Sequence, residues 1–191
     1  MFRNVEIEFI PGRVYALTGP SGSGKSTLLS ILAGWFNPSE GRVMRPDSAR
    51  TSWVFQNPHG IAHRSAHDHI ALPLLAQGLS LSTADERAAE LLEQFGLSAT
   101  ANHPFAHLSG GEAQRLMLAR GIASNPDLLL IDEPTAQLDH TTSRTVNEAI
   151  ASIANDGTVV AVATHDFATR DACSDQLDLS NWAWPRKSTA S

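Results

Sequence analysis

The sequence predicts an α/β fold, a mostly parallel sheet flanked by helices, on three observations. "DLLLID" (127–132) and "GTVVAVATHD" (157–166) are continuous apolar runs, as expected of strands buried on both faces of a parallel sheet. The stretch between them carries Val146, Ile150 and Ile153 at i, i+4 and i+7, one face of a helix. A third apolar run, "RVYALTG" (13–19), ends at a glycine-rich turn and is followed by "KSTLLSILAGW" (25–35), helical with Leu28, Leu29, Ile31 and Leu32 on a broad apolar surface. Strands alternating with helices stack as layers around one core.

The remaining elements follow in chain order. Val5, Ile7 and Phe9 alternate with Glu6 and Glu8, which predicts a half-buried strand over 4–10 that turns at Pro11-Gly12. Gly34, Pro38 and Gly41 break the chain after the first helix, and "TSWVFQ" (51–56) reads as another strand. Residues 57–115 are helical and His-rich, and are expected to form an insert between core segments 1–56 and 116–191 of a single domain. A helix is expected after Ser82-Thr83, because Ser82/Asp85 and Thr83/Glu86 have capping-box spacing. Its apolar positions Ala84, Ala88, Leu91, Leu92 and Phe95 share a face, and Gly96 ends it.

Composition limits the function classes. A net charge of −6 over 191 residues argues against a general binder of nucleic acid or anionic membranes. One cysteine, Cys173, leaves no internal disulfide and suits a reducing compartment, as a small packing side chain. No stretch reaches the length of a membrane span, and the N-terminus lacks the basic and apolar regions of a signal peptide. The expectation is a cytoplasmic protein that reaches a membrane only through a partner.

The chemistry sits in short motifs. "GPSGSGKST" (19–27) falls between a predicted strand and a predicted helix, the context of a phosphate-binding loop. Gly19, Gly22 and Gly24 let the backbone around Pro20, Ser21 and Ser23 curl so that successive N–H groups face phosphates, with Thr27 closing the motif. Lys25 adds charge for the β- and γ-phosphates, and Ser26 offers a hydroxyl to Mg²⁺. "LLLIDEP" (128–134) carries Asp132 to the end of a strand, where it can hold Mg²⁺ through water. Glu133 comes next, suited to orient and deprotonate an attacking water, so the pair of carboxylates points to hydrolysis of a bound nucleotide rather than binding alone. "LSGGEAQR" (108–115) raises a separate question. Ser109 and Glu112 form a capping box, yet Gly110 and Gly111 leave N–H groups uncovered at a helix start, a second anion site.

These motifs, in this order, resemble the ATP-binding subunit of an ABC transporter over nearly the whole chain. "GPSGSGKST" matches the family's Walker A, Gln56 in "VFQNP" its Q-loop, "LSGGE" (108–112) its signature, and "LLLIDEP" its Walker B. Asp139 in "AQLD" matches the D-loop and His165 in "ATHD" the switch histidine. The resemblance implies ATP with Mg²⁺, the metal held by Ser26, Gln56 and Asp132. It implies that Glu133, His165, Gln56 and Lys25 carry catalysis. Ser109, Gly110 and Gly111 would close over the nucleotide of a second copy in a head-to-tail dimer, with Asp139 at the seam. A membrane permease is the implied partner, and no nucleic acid is expected. "HDHIALPLL" (67–75) is most similar to the lipoprotein-release and macrolide-export branch. A non-transport ABC ATPase and a nucleotide-gated module with little turnover are the alternatives. A small nucleotide kinase would account for Walker A alone.

The family also implies a shortened N-terminal antiparallel β part, because its further strand and the aromatic that stacks on adenine lie upstream of where this sequence starts. Ala136-Gln137 departs from the small residue common at the start of the D-loop. His59, His63, His67 and His69 cluster without a nearby cysteine and at irregular spacing, which reads as exposed surface near a permease-docking face rather than a zinc site. Trp182 and Trp184 are expected to pack the chain end onto the sheet.

Overall fold

Five strands form one sheet in the order β2-β3-β4-β1-β5, and every neighbouring pair is parallel. They are β1 (Val14–Thr18), β2 (Thr51–Val54), β3 (Leu128–Asp132), β4 (Val159–Ala163) and β5 (Asp175–Asp178). The computed structural model that shows this describes residues 2–136, 138–153 and 157–182. The registers Leu17↔Ala163 and Asp132↔Ala163 bring the ends of β1, β3 and β4 to one edge, where the 19–27 loop, Glu133 and His165 follow.

Side chains alternate across the strands and so build two cores. On one face, α1 (Lys25–Leu32) buries Leu28, Leu29 and Leu32 against Leu17, Leu130, Ala161 and Ala163. On the other, α4 (Gly110–Ala123) and α5 (His140–Ile153) press Leu116, Leu118, Val146 and Ile150 onto Leu129, Ile131, Val160 and Val162. That second core continues into the pair α2 (Ala66–Ala76) and α3 (Leu81–Gln94), where Ile70 and Leu74 meet Ala84, Ala88 and Leu92. The short α6 (Phe167–Asp171) follows β4. Among the described residues no helix is long and apolar enough to cross a membrane.

Two expectations need correction. Residues 4–10 form no strand, and the described sheet contains no antiparallel β part. Val5, Ile7 and Phe9 are half-buried while Glu6 and Glu8 are exposed, so the alternation reported which side chains are covered, not a ladder partner. Phe9 packs edge-on against Tyr15, and the Ile10 N–H donates to the Tyr15 hydroxyl at 2.8 Å instead of to a strand. The second correction concerns α3, which starts at Leu81 rather than after Thr83. Ser80 holds the extended cap conformation, and its hydroxyl accepts the Thr83 N–H at 3.2 Å. Of the cap-competent residues Ser80, Ser82 and Thr83, the first is used.

The chain end behaves as expected where it is described. Trp182 is half-buried against the α1 face, and its carbonyl accepts the Arg3 N–H at 2.9 Å. Trp184 lies outside the described residues. Burial pushes the Cys173 thiol up to about 12, which makes it an inert packing group.

Candidate nucleotide-binding site

The loop from β1 to α1 takes its shape from glycines with left-handed φ. Gly22 (φ +77°) is strained for any other residue, and at Gly19 (φ +136°) a Cβ would also come within 2.9 Å of Ser23 Oγ. Gly24 caps α1 in the left-handed region without a side-chain bond, so the N–H groups of Lys25, Ser26 and Thr27 start the helix without a side-chain cap. Pro20 and Ser21 are exposed on the loop, and the Pro20 carbonyl accepts the Ser23 N–H at 3.0 Å. Lys25 Nζ lies across this cradle and donates to the Gly19 carbonyl at 3.0 Å.

Asp132 and Glu133 leave β3 beside the cradle. Burial pushes the Asp132 carboxyl above its ordinary value, and Glu133 pushes it the same way. A hydrogen bond with Ser26 and the charge of Lys25 pull it back. Glu133 holds φ +47°, an uncommon conformation for a residue with a Cβ, and strain of this kind collects at functional sites. The Glu133 N–H donates to the Ala163 carbonyl at 2.8 Å, which ties this backbone to β4. Across that junction His165 Nδ1 lies 2.9 Å from Glu133 Oε1, and the His165 N–H donates to Oε2 at 3.3 Å. Glu133 is mostly covered, its side chain 12% exposed, while the His165 ring is 71% exposed. The imidazole therefore reaches out over the carboxylate.

Gln56 is exposed two residues past the end of β2, the strand beside β3. Gln114 connects this segment to α4, since its buried amide donates to the Phe55 carbonyl at 3.3 Å. Sequence reasoning passed over Gln114, although a glutamine between Ala113 and the apolar run 116–119 is a visible signal.

The signature residues Ser109, Gly111 and Glu112 line a cleft that includes none of residues 19–27. Ser109 caps α4 with its backbone extended, and the capping box with Glu112 is complete. Beside it opens a cleft of about 380 Å³ lined by Ser109, Gly111, Glu112, Arg115, Leu138, Asp139 and Thr142, and by no residue of 19–27, Asp132, Glu133 or His165. Asp139 Oδ1 accepts the Thr141 and Thr142 N–H groups at 3.0 Å, fixing the start of α5. Thr142 donates its hydroxyl to Asp139 Oδ2 at 2.6 Å and accepts from Arg115 at 3.4 Å. Arg115 and Thr142 were not among the expected residues, because only the fold brings α4 and α5 together here. Gln137 lies outside the described residues.

The histidine cluster divides. His59 and His63 are exposed, and His67 lies 3.6 Å from Asp85. His69 contradicts the exposed-surface reading, because it is buried: its Nδ1 bonds the Ser65 carbonyl at 2.7 Å and its Nε2 accepts the Ile61 N–H at 2.9 Å. Among the described residues no group of three or more His, Cys, Asp or Glu is placed to hold a metal ion.

Comparison with known proteins agrees with this geometry. The profile of the ABC transporter family matches residues 2–136. The chain is 34% identical to the lipoprotein-releasing system ATP-binding protein LolD 1 of Rhodopirellula baltica, covering 98% of this chain and 89% of that one. It is 39% identical to the LolD protein of Hyphomonas neptunium over 88% and 81%. Among solved structures it resembles a dimeric ATP-binding cassette in a post-hydrolysis state bound to ADP and Pi, with TM-score 0.80 and 30% identity over 93% and 85% of the two chains. A profile match over more than half the chain and full-length relatives above 30% identity lead to one conclusion: the chain belongs to the ABC transporter family, as one of its ATP-hydrolysing cassettes.

Proposed function

We propose that two copies of the chain close head to tail on ATP, and that hydrolysis in the dimer drives a membrane permease in lipoprotein release. One observation carries the reading: two constellations suited to an anion share no lining residue, since the cleft beside Ser109 includes none of residues 19–27. Residues 19–27 form the first and the Ser109 end of α4 the second. A two-fold axis that faces one against the other makes two equivalent sites. The dimeric state of the solved cassettes supports that arrangement. The transport role follows the lipoprotein-releasing relatives.

The cradle fits a triphosphate and Mg²⁺. Ser23 Oγ is buried and has no hydrogen-bond partner, while desolvated Asp132 faces Ser26. Ser26, Asp132 and Gln56 would hold Mg²⁺, which when bound neutralises phosphate charge. Lys25 exchanges the Gly19 carbonyl for phosphate oxygens. Glu133 takes the proton of the attacking water, and His165 orients that water from beside the carboxylate. Ser109, Gly110 and Gly111 of the second copy complete the enclosure, with Asp139 at the seam.

Glu133→Gln tests both halves of the proposal. The amide cannot accept the proton, so turnover should fall about 10²-fold or more, the order expected for loss of a general base. Trapped ATP should then hold a stable dimer in size-exclusion chromatography. Normal turnover, or a monomer in saturating ATP, contradicts the reading.

A further inference from the structure

The Ser109 cleft contains a charge that phosphate binding does not call for. Glu112 Oε2 accepts the Ser109 N–H at 2.8 Å and the Ser109 hydroxyl at 2.7 Å. In return Ser109 Oγ accepts the Glu112 N–H at 3.3 Å. A serine hydroxyl has one proton to donate, and here a carboxylate holds it. The donors left for a phosphate are the N–H groups of Gly110 and Gly111, which the first turn of a helix cannot use internally. Ser109 donates to Glu112 from both its groups, and those bonds keep the carboxyl below its ordinary value and ionised at neutral pH. The cleft therefore has two carboxylates, Glu112 and Asp139, against the single cation Arg115. A neutral glutamine would complete the same capping box, so the helix start does not require the charge.

We propose that Glu112 sets the strength of ATP-driven closure: its carboxylate holds the Ser109 proton and repels the partner's triphosphate, which keeps the closed dimer weak and readily reopened. The inference rests on Ser109 acting in trans. Before an incoming γ-phosphate can accept from Ser109, Oε2 must release that hydroxyl, and the phosphate must approach an anion within a few ångströms. The effect is counted twice, because each dimer has two such sites.

The test compares Mg-ATP dimer dissociation constants by sedimentation in a Glu133→Gln background, with and without Glu112→Gln. Closure should tighten about tenfold or more at low salt, as expected for removing a near-surface like-charge contact at each of two sites. The gain should shrink at high salt, where the screening length falls from about 10 Å at 0.1 M to about 3 Å at 1 M. Glu112→Ala, which loses the box as well as the charge, should also close more tightly than the parent. ATP affinity of the isolated monomer, set by residues 19–27, should stay within about twofold. Equal or weaker closure in Glu112→Gln overturns the inference, as does tightening confined to the glutamine variant, which would credit an added amide donor. Failure to dimerise on ATP both with and without Glu112→Gln overturns the trans reading and this inference together.

Discussion

His69 shows how a residue type can point to the wrong chemistry. In the sequence it belongs to a histidine-rich stretch, but in the fold its ring is a buried spacer that accepts the Ile61 N–H and packs on Phe105, with ring centroids 5.4 Å apart. Burial pushes its pKa below the ordinary 6.5, so between those two values the unfolded chain binds the proton and the folded chain does not. Stability contributed by neutral His69 is therefore complete above 6.5 and is lost as pH falls through that window. His69→Ala should cost about 1–3 kcal/mol at pH above 7, the penalty for an unpaired buried N–H. The gap from the parent should narrow as pH falls toward the lowered pKa, measured by urea unfolding at several pH values; a constant gap contradicts this account. The phosphate-loop glycines, Lys25, Asp132 and Glu133 were legible at this scale because backbone geometry and charge require those residue types. The φ of Glu133 and the hydroxyl held by Glu112 were not, since they arise from contacts with β4 and across a capping box.

At the scale of elements, apolar patterning located every strand of the sheet except β5, whose "DQLD" alternates at the sheet edge without a continuous apolar run. The same patterning misread residues 4–10, because period-two burial is also produced by an extended segment laid over a hydrophobic face. Cap chemistry placed α4 correctly and α3 two residues late. The structure predicts that Ser80→Ala costs about 1 kcal/mol, the usual loss for an N-cap hydroxyl. Ser82→Ala should stay within about 0.5 kcal/mol, because Ser82 lies inside the helix and bonds only exposed Glu86. Urea midpoints of the two variants check this, and equal losses would move the cap back to Ser82. Tyr15 supplies a related finding. It is 4% exposed and spends its hydroxyl on Ile10, so its ring is unavailable to stack on a base.

The whole molecule is an ABC ATPase whose signature cleft shares no lining residue with residues 19–27, Asp132, Glu133 or His165, and our proposal is that the two serve different nucleotides. The motifs were legible one by one, but their separation was not, because linear order places "LSGGE" between the Q-loop and Walker B without saying where α4 starts in space. The resemblance to a known family supplied that expectation, and in this chain the cleft beside Ser109 is lined by none of residues 19–27. The most direct measurement uses a photoreactive ATP analogue and two distinguishable copies, one carrying Ser109→Arg and the other Lys25→Ala. Analogue held at Lys25 of the first copy should label the segment around Ser109 of the second. Label found only within the chain whose Lys25 holds the analogue would contradict the composite site.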